Sequence, residues 1–204
     1  MLEAQQVAAQ RGLVTLFSDV SFALSSGEAL VVTGANGSGK TTLLRIAAGI
    51  TRPLSGKLSW RGSAFAPFDA VLRAATLYIG HAIALKDEMT TEENLTSMVN
   101  LHGASADAGE VRDALAVWAL DAQRGLPARV LSQGQRRRVG LARLRLLHRP
   151  LWILDEPTTA LDAAGVATLQ DLLAAHLVQG GVAVIATHQD LALPQGAKRM
   201  LELQ

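Results

Sequence analysis

The sequence predicts an α/β fold, with a mostly parallel core sheet, an antiparallel β subdomain and an inserted helical subdomain. Three observations carry that expectation. Apolar runs that end in polar residues alternate with helical patterns. Short alternating segments cluster toward the N-terminus, and a long central stretch is nearly free of strand signal.

Residues 1–28 and 57–75 hold short alternating pieces such as VSFAL and KLSW, separated by SSG and RGS turns, and read as the antiparallel layer. ALVVTG, residues 29–34, is a β-branched run ending in glycine, the pattern of a buried strand. TTLLRIAAG, residues 41–49, spaces its apolar side chains as a helix does, with Gly49 as the stop and Pro53 just beyond. Residues 82–140 read as helical, with EENLTSMVNLHG, GEVRDALAVWAL and QRRRVGLARLRLL the clearest segments. LWILDE at 151–156 and VAVIATH at 182–188 are two further apolar strands, and the helix between them closes on Gly180 and Gly181. Strand, helix and strand in that order indicate parallel strands joined by crossover helices. Ligands of such sheets sit beyond the carboxyl ends of the strands, where the polar residues fall. The expected organisation is one domain over 1–204, with the helical subdomain at about 82–140 inserted in its core.

Composition removes several chemistries. The chain has 204 residues, 49% of them hydrophobic, which suffices for a core without staples. It has no cysteine, which excludes disulfides, thiolate metal sites, cysteine nucleophiles and covalent haem attachment. Its formal charge of +1 gives no general attraction for nucleic acid. The N-terminal MLEAQQVAAQRG is too polar for a secretory signal, and no run of about 20 apolar residues exists to span a membrane. The expectation is a soluble cytoplasmic protein.

GANGSGKT, residues 34–41, matches the phosphate-binding pattern G-x-x-x-x-G-K-[ST] and lies between a strand and a helix, as that pattern requires. Gly34, Ala35, Asn36, Gly37, Ser38 and Gly39 offer backbone N–H groups to phosphate oxygens, and Thr42 continues the helix whose positive end adds to the cradle. Lys40 is expected to bridge the outer phosphates and Thr41 to hold magnesium, so ATP and Mg2+ are the expected ligands. At the end of LWILDE, Asp155 can hold the metal through water, and Glu156 is placed to act as general base on the attacking water.

LSQGQ, residues 131–135, follows 91 residues after Lys40 and opens a helix, where Ser132 and Gly134 form an anion site with Gln133 and Gln135. It resembles the LSGGQ signature of ATP-binding cassette (ABC) ATPases, with Gln133 in place of the first glycine. With GANGSGKT, LWILDE, TALD at 159–162 and His188, it makes a set whose order is that of the family over essentially the whole chain. The resemblance implies a P-loop NTPase fold of the ABC cassette type. It implies that Ser132, Gln133, Gly134 and Gln135 clamp the γ-phosphate of a second subunit, that Asp162 lies in the interface-crossing D-loop, and that His188 contacts the γ-phosphate and orients the water. The partners implied are a second copy of the cassette and separate integral membrane subunits. DNA-repair members of the family insert long coiled coils before the signature, and translation factors carry two cassettes, so neither matches. His102, His148 and His176 read as surface or packing residues. Arg136, Arg137 and Arg138 point around a helix, which favours a solvated or interface helix over a nucleic-acid face.

Two positions depart from the family. In LYIGHAIALKDEM, residues 77–89, His81 falls where the family usually has glutamine. A neutral imidazole can ligate the metal or its water; alternatively His81 packs there, and Thr41 and Asp155 hold the metal without it. Arg11 stands where the family usually stacks an aromatic on adenine, and a guanidinium can also stack on a base. IGH, the lysine-containing segment before ENL, LWILDEPTTALD and the short frame resemble the haem-exporter branch that serves cytochrome c maturation. That resemblance implies a peripheral location on the cytoplasmic face of the inner membrane, with no direct haem binding by this chain.

Overall fold

The computed structural model describes all 204 residues. Its strands are β1 (Leu2–Arg11), β2 (Val14–Leu24), β3 (Ala29–Gly34), β4 (Ser55–Trp60), β5 (Ser63–Ala64), β6 (Thr76–Ile79), β7 (Leu151–Asp155), β8 (Val182–Ala186) and β9 (Lys198–Leu203). Its helices are α1 (Lys40–Ala47), α2 (Ala70–Ala75), α3 (Thr91–Leu101), α4 (Ala108–Val117), α5 (Gln133–Leu146) and α6 (Ala163–Val178). The chain forms two compact units, one of residues 1–80, 149–156 and 173–204, the other of residues 81–148 and 157–172. The second unit thus takes in residues 141–148 and 157–172 besides the central region expected to be helical. No helix is long and apolar enough to cross a membrane.

The first unit holds both sheets. One is antiparallel in the order β2-β1-β4-β5, and the other is parallel in the order β6-β7-β8-β3-β9. The central strands β7 and β8 are buried at every position, the continuous apolar run that a covered parallel sheet requires. Leu2, Val7 and Leu24 of the antiparallel sheet join Leu43, Leu44 and Ile46 of α1 and Ile153 and Val184 of the parallel sheet in one core. Each such side chain contributes about 1.5–3 kcal/mol of burial. The register of the parallel sheet sets up the site. Asp155 pairs with Ala186 and Ala186 with Val32, so β7 and β8 end at one level while β3 runs two residues further, paired with β9. The residues that follow, Glu156 and Thr187, therefore leave the sheet along the same edge.

The second unit is helical, with α3, α4 and α5 packed pairwise. Each begins with a reciprocal cap that its sequence encodes, Thr90 with Glu93, Asp107 with Glu110 and Ser132 with Gln135. In each pair the side chains satisfy two backbone donors that a helix start leaves open. Leu95, Val99, Val111, Leu115, Trp118 and Val139 form its interior.

The structure corrects the sequence reading in several places. The stretch 57–75 is not wholly β, since residues 70–75 form α2, capped by Asp69 through Leu72 N–H. β6 and β9 have no counterpart in the sequence reading. β6 is four residues long and starts at the C-cap of α2 with no intervening turn residue. β9 is a charged edge strand in which only Leu203 is buried. The arginine run is not simply solvated either. Arg137 is 4% exposed, donating to the carbonyls of Pro157 at 3.2 Å and His81 at 3.0 Å.

Candidate active site

The loop 34–39 is shaped by glycine where no other residue fits. Gly34 has φ 138° and Gly39 φ 99°, and a Cβ at Gly34 would lie 2.3 Å from the Leu203 carbonyl oxygen. A Cβ at Gly39 would meet the Phe17 ring at 2.9 Å, so β2 presses on the loop from below. No side chain caps α1 at Gly39. Ser38 Oγ is buried with no hydrogen-bond partner, 2.8 Å from where a Cβ at Gly34 would lie. Lys40 is 8% exposed and donates to the carbonyls of Gly34 at 2.7 Å and Ala35 at 3.0 Å, so its ammonium spans the mouth of the loop. An orphaned hydroxyl, a buried cation and a helix start together suit an anion with several oxygens.

In the first turn of α1, Thr41 donates its hydroxyl to Asp155 Oδ2 at 2.9 Å. Asp155 is 1% exposed at the end of β7. A hydroxyl and a buried carboxylate are hard oxygen donors of the kind Mg2+ takes, with water filling its remaining positions. The donor set therefore fits the ion expected from the sequence.

Glu156 leaves β7 with φ 49°, a left-handed conformation in a residue with a side chain, which costs about 1–3 kcal/mol. Its N–H donates to Ala186 O at 2.9 Å, which fixes the turn against β8. The carboxylate then faces His188, with Nε2 and Oε1 3.5 Å apart. The parallel register makes this meeting possible, because Glu156 and His188 follow paired strand ends. Sequence reasoning missed a second tie beside it. Tyr78 of β6 hydrogen-bonds Arg45 of α1, and burial raises the phenol's pKa, with the Arg45 bond opposing it and the Asp155 charge adding to it. Tyr78 pairs in register with Ile153, two residues before Asp155.

In the second unit, Ser132 caps α5, accepting from Gln135 N–H at 3.2 Å while Gln135 Oε1 accepts from Ser132 N–H at 2.8 Å. The hydroxyl proton of Ser132 remains available to an outside acceptor. Gln133 and Gly134 form the first turn, and a Cβ at Gly134 would lie 2.6 Å from Ala160 O. Asp162 accepts from Gly165 N–H at 2.9 Å and from Arg138 at 2.5 Å. The Gly165 N–H bond first, and then Arg138, hold its carboxyl below the usual range. Burial first, and then repulsion from Arg137, lowers Arg143 to about 10.

The two departures are both at the surface. His81 is exposed, so its ring does not pack in the interior, and its backbone carbonyl accepts from Arg137 Nη1 at 3.0 Å. Arg11 is exposed at the end of β1, opposite Val14. Of the remaining histidines, His176 packs, stacking on Trp152 with centroids 3.8 Å apart, and His148 is exposed. His102 Nδ1 bonds Met98 O at 2.8 Å.

Comparison with known proteins adds to this geometry. The family described as ABC transporter matches residues 17–159. The cytochrome c biogenesis ATP-binding export protein CcmA of Nitrosomonas europaea is 44% identical over 193 residues, 95% of this chain and 91% of that protein. The protein of the same name from Dechloromonas aromatica is 42% identical over 203 residues, with both chains covered completely. An ABC transporter ATP-binding protein from Pyrococcus furiosus superposes with a TM-score of 0.84 at 25% identity, covering 99% of this chain and 96% of that one. A dimeric ATP-binding cassette solved after hydrolysis, with ADP and phosphate bound, gives 0.82 at 23% identity over 100% and 94%.

Proposed function

The chain belongs to the ABC transporter family of ATP-hydrolysing cassettes, and from that premise we propose that it is the ATPase subunit of a haem exporter serving cytochrome c maturation. The observation that carries the proposal is 42–44% identity, over 95–100% of the chain, to proteins named for cytochrome c biogenesis; the arrangement of Ser38, Lys40, Thr41 and Asp155 supports it.

In this reading Lys40 and the N–H groups of residues 34–41 bind the phosphates of ATP, and Arg11 lies against the base. Thr41 and Asp155 would hold Mg2+, which would neutralise negative charge on the phosphates. Two copies pair head to tail, so that Ser132, Gln133, Gly134 and Gln135 of one face the nucleotide held by residues 34–42 of the other, with Asp162 at the interface. Glu156 accepts a proton from the attacking water, and His188 orients that water and the γ-phosphate. The bond between the β–γ bridging oxygen and the γ-phosphorus breaks, leaving ADP and phosphate, and the pair opens. Phosphoryl transfer of this kind depends on positioning and electrostatics, which the fixed register of β3, β7 and β8 provides. Opening and closing act on separate membrane subunits at the cytoplasmic face of the inner membrane; no nucleic acid and no direct haem contact enter the cycle.

The test uses a tagged Glu156→Gln chain, purified with ATP from gently solubilised membranes, with co-purifying proteins identified by mass spectrometry. Integral membrane proteins of cytochrome c maturation, with haem absorbance in the complex, are expected. A different permease would keep the ATPase and replace the cargo, and soluble partners alone would end the transporter reading.

A further inference from the structure

The cycle described above leaves one buried charge unused. Arg137 lies in the second turn of α5 at 4% exposure, with Nε donating to Pro157 O and Nη1 to His81 O. A guanidinium is costly to desolvate, and its planar fork is the side chain suited to holding two acceptors at once. Its neighbours work similarly, Arg136 pairing with Asp87 at 2.8 Å and Arg138 with Asp162 at 2.5 Å. The loop 157–162 is therefore gripped along its length by one helix. Arg137 takes its start at Pro157, Gly134 meets its middle at Ala160 O, and Arg138 takes its end at Asp162. Ala160 has φ 63°, a strained conformation that such a grip can maintain.

We propose that Arg137 is a positioning residue for the two-copy nucleotide site: it locks Ser132–Gln135 and the 157–162 loop into one rigid element and ties that element to the chain at His81. The inference rests on the head-to-tail dimer reading given above. The link runs through the main-chain carbonyl, which any residue supplies, and the specificity resides in Arg137. An arginine lost from the loop side frees the D-loop from the signature helix while leaving residues 34–41 untouched in sequence. Lysine, a point charge on a flexible stem, can hold one carbonyl but not the fork.

The experiment places Arg137→Met and Arg137→Lys in the full chain carrying Glu156→Gln. Sedimentation with ATP reads dimerisation, and calorimetry reads ATP affinity of the monomer. Arg137→Met should weaken the dimer about tenfold or more, the loss of charged hydrogen bonds, with monomer ATP affinity changed less than about twofold by the same scale. Arg137→Lys should fall between. Hydrogen exchange in the lysine variant should quicken in 157–162 and the first turn of α5, with α3 and α4 unchanged. A methionine variant that dimerises like its parent would overturn the proposal, as would ATP affinity falling in step with dimerisation. Where the methionine variant fails to fold, unaltered exchange and dimerisation in the lysine variant would overturn it. A parent chain that stays monomeric with ATP would sink the dimer reading instead, and exchange in 157–162 would still decide the role of Arg137.

Discussion

Thr41 donates its hydroxyl to Asp155 across 2.9 Å and so joins the first turn of α1 to the end of β7. Asp155→Asn keeps the shape and removes the charge that a divalent ion needs. ATP hydrolysis by this variant should require a much higher Mg2+ concentration for half-maximal rate, with the rate at saturating nucleotide also reduced. A Mg2+ titration identical to that of the parent would take Asp155 out of the metal set.

Glu156 and His188 meet at 3.5 Å on the same edge of the sheet. Glu156→Gln should bind ATP normally and lose about 10²- to 10⁴-fold in turnover, the usual worth of a general base. It should also run as a dimer on size exclusion when ATP is present. Turnover at the parental rate would exclude Glu156 as the base.

Lys40 is buried and spans the mouth of the phosphate loop through two carbonyls. Lys40→Ala should weaken ATP binding itself, by roughly 10- to 100-fold if one charge-assisted contact is lost. Calorimetry with a non-hydrolysed ATP analogue measures this without interference from turnover. Undiminished affinity would mean that the ammonium serves the loop and not the nucleotide.

Arg11 is exposed at the end of β1, beyond any packing that would hold it against a base in the free chain. Stacking of an exposed guanidinium contributes about 0.5–2 kcal/mol and reads no base edge. Arg11→Ala should therefore weaken ATP and GTP alike, by about 2- to 30-fold from that energy. The parent should bind the two nucleotides with similar affinity. A strong preference of the parent for ATP would count against Arg11 as the base contact.

His176 stacks on Trp152, and burial lowers its pKa below 6.5, while its contact with Val182 O opposes that shift. The native state therefore favours the neutral ring. As pH falls below about 6.5 the unfolded chain takes up a proton first, so this contribution is complete above that pH and is lost on acidification. The unfolding midpoint should drop between pH 7.5 and 5.5, and His176→Phe should flatten the drop while preserving a stacked ring. An unchanged slope in the variant would assign the acid sensitivity to other groups.

The sequence by itself determined the elements whose signal is local. Continuous apolar runs required β3, β7 and β8 to be covered parallel strands. GANGSGKT required a phosphate cradle, because its glycines permit the positive φ angles that Gly34, Gly37 and Gly39 adopt. Ser132 and Gln135, three residues apart in LSQGQ, cap the helix that the same stretch opens. Tertiary structure decided what depends on partners distant in the chain. β9 is a strand because β3 offers it an open edge, and nothing in KRMLEL requires that pairing. The contact between Glu156 and His188 follows from the register of two strands separated by a helix. The arginine run shows the difference most plainly. Three like residues in sequence carry no periodic signal, yet one lies buried on two carbonyls, because α5 turns it toward Pro157 and His81 while turning its neighbours toward carboxylates.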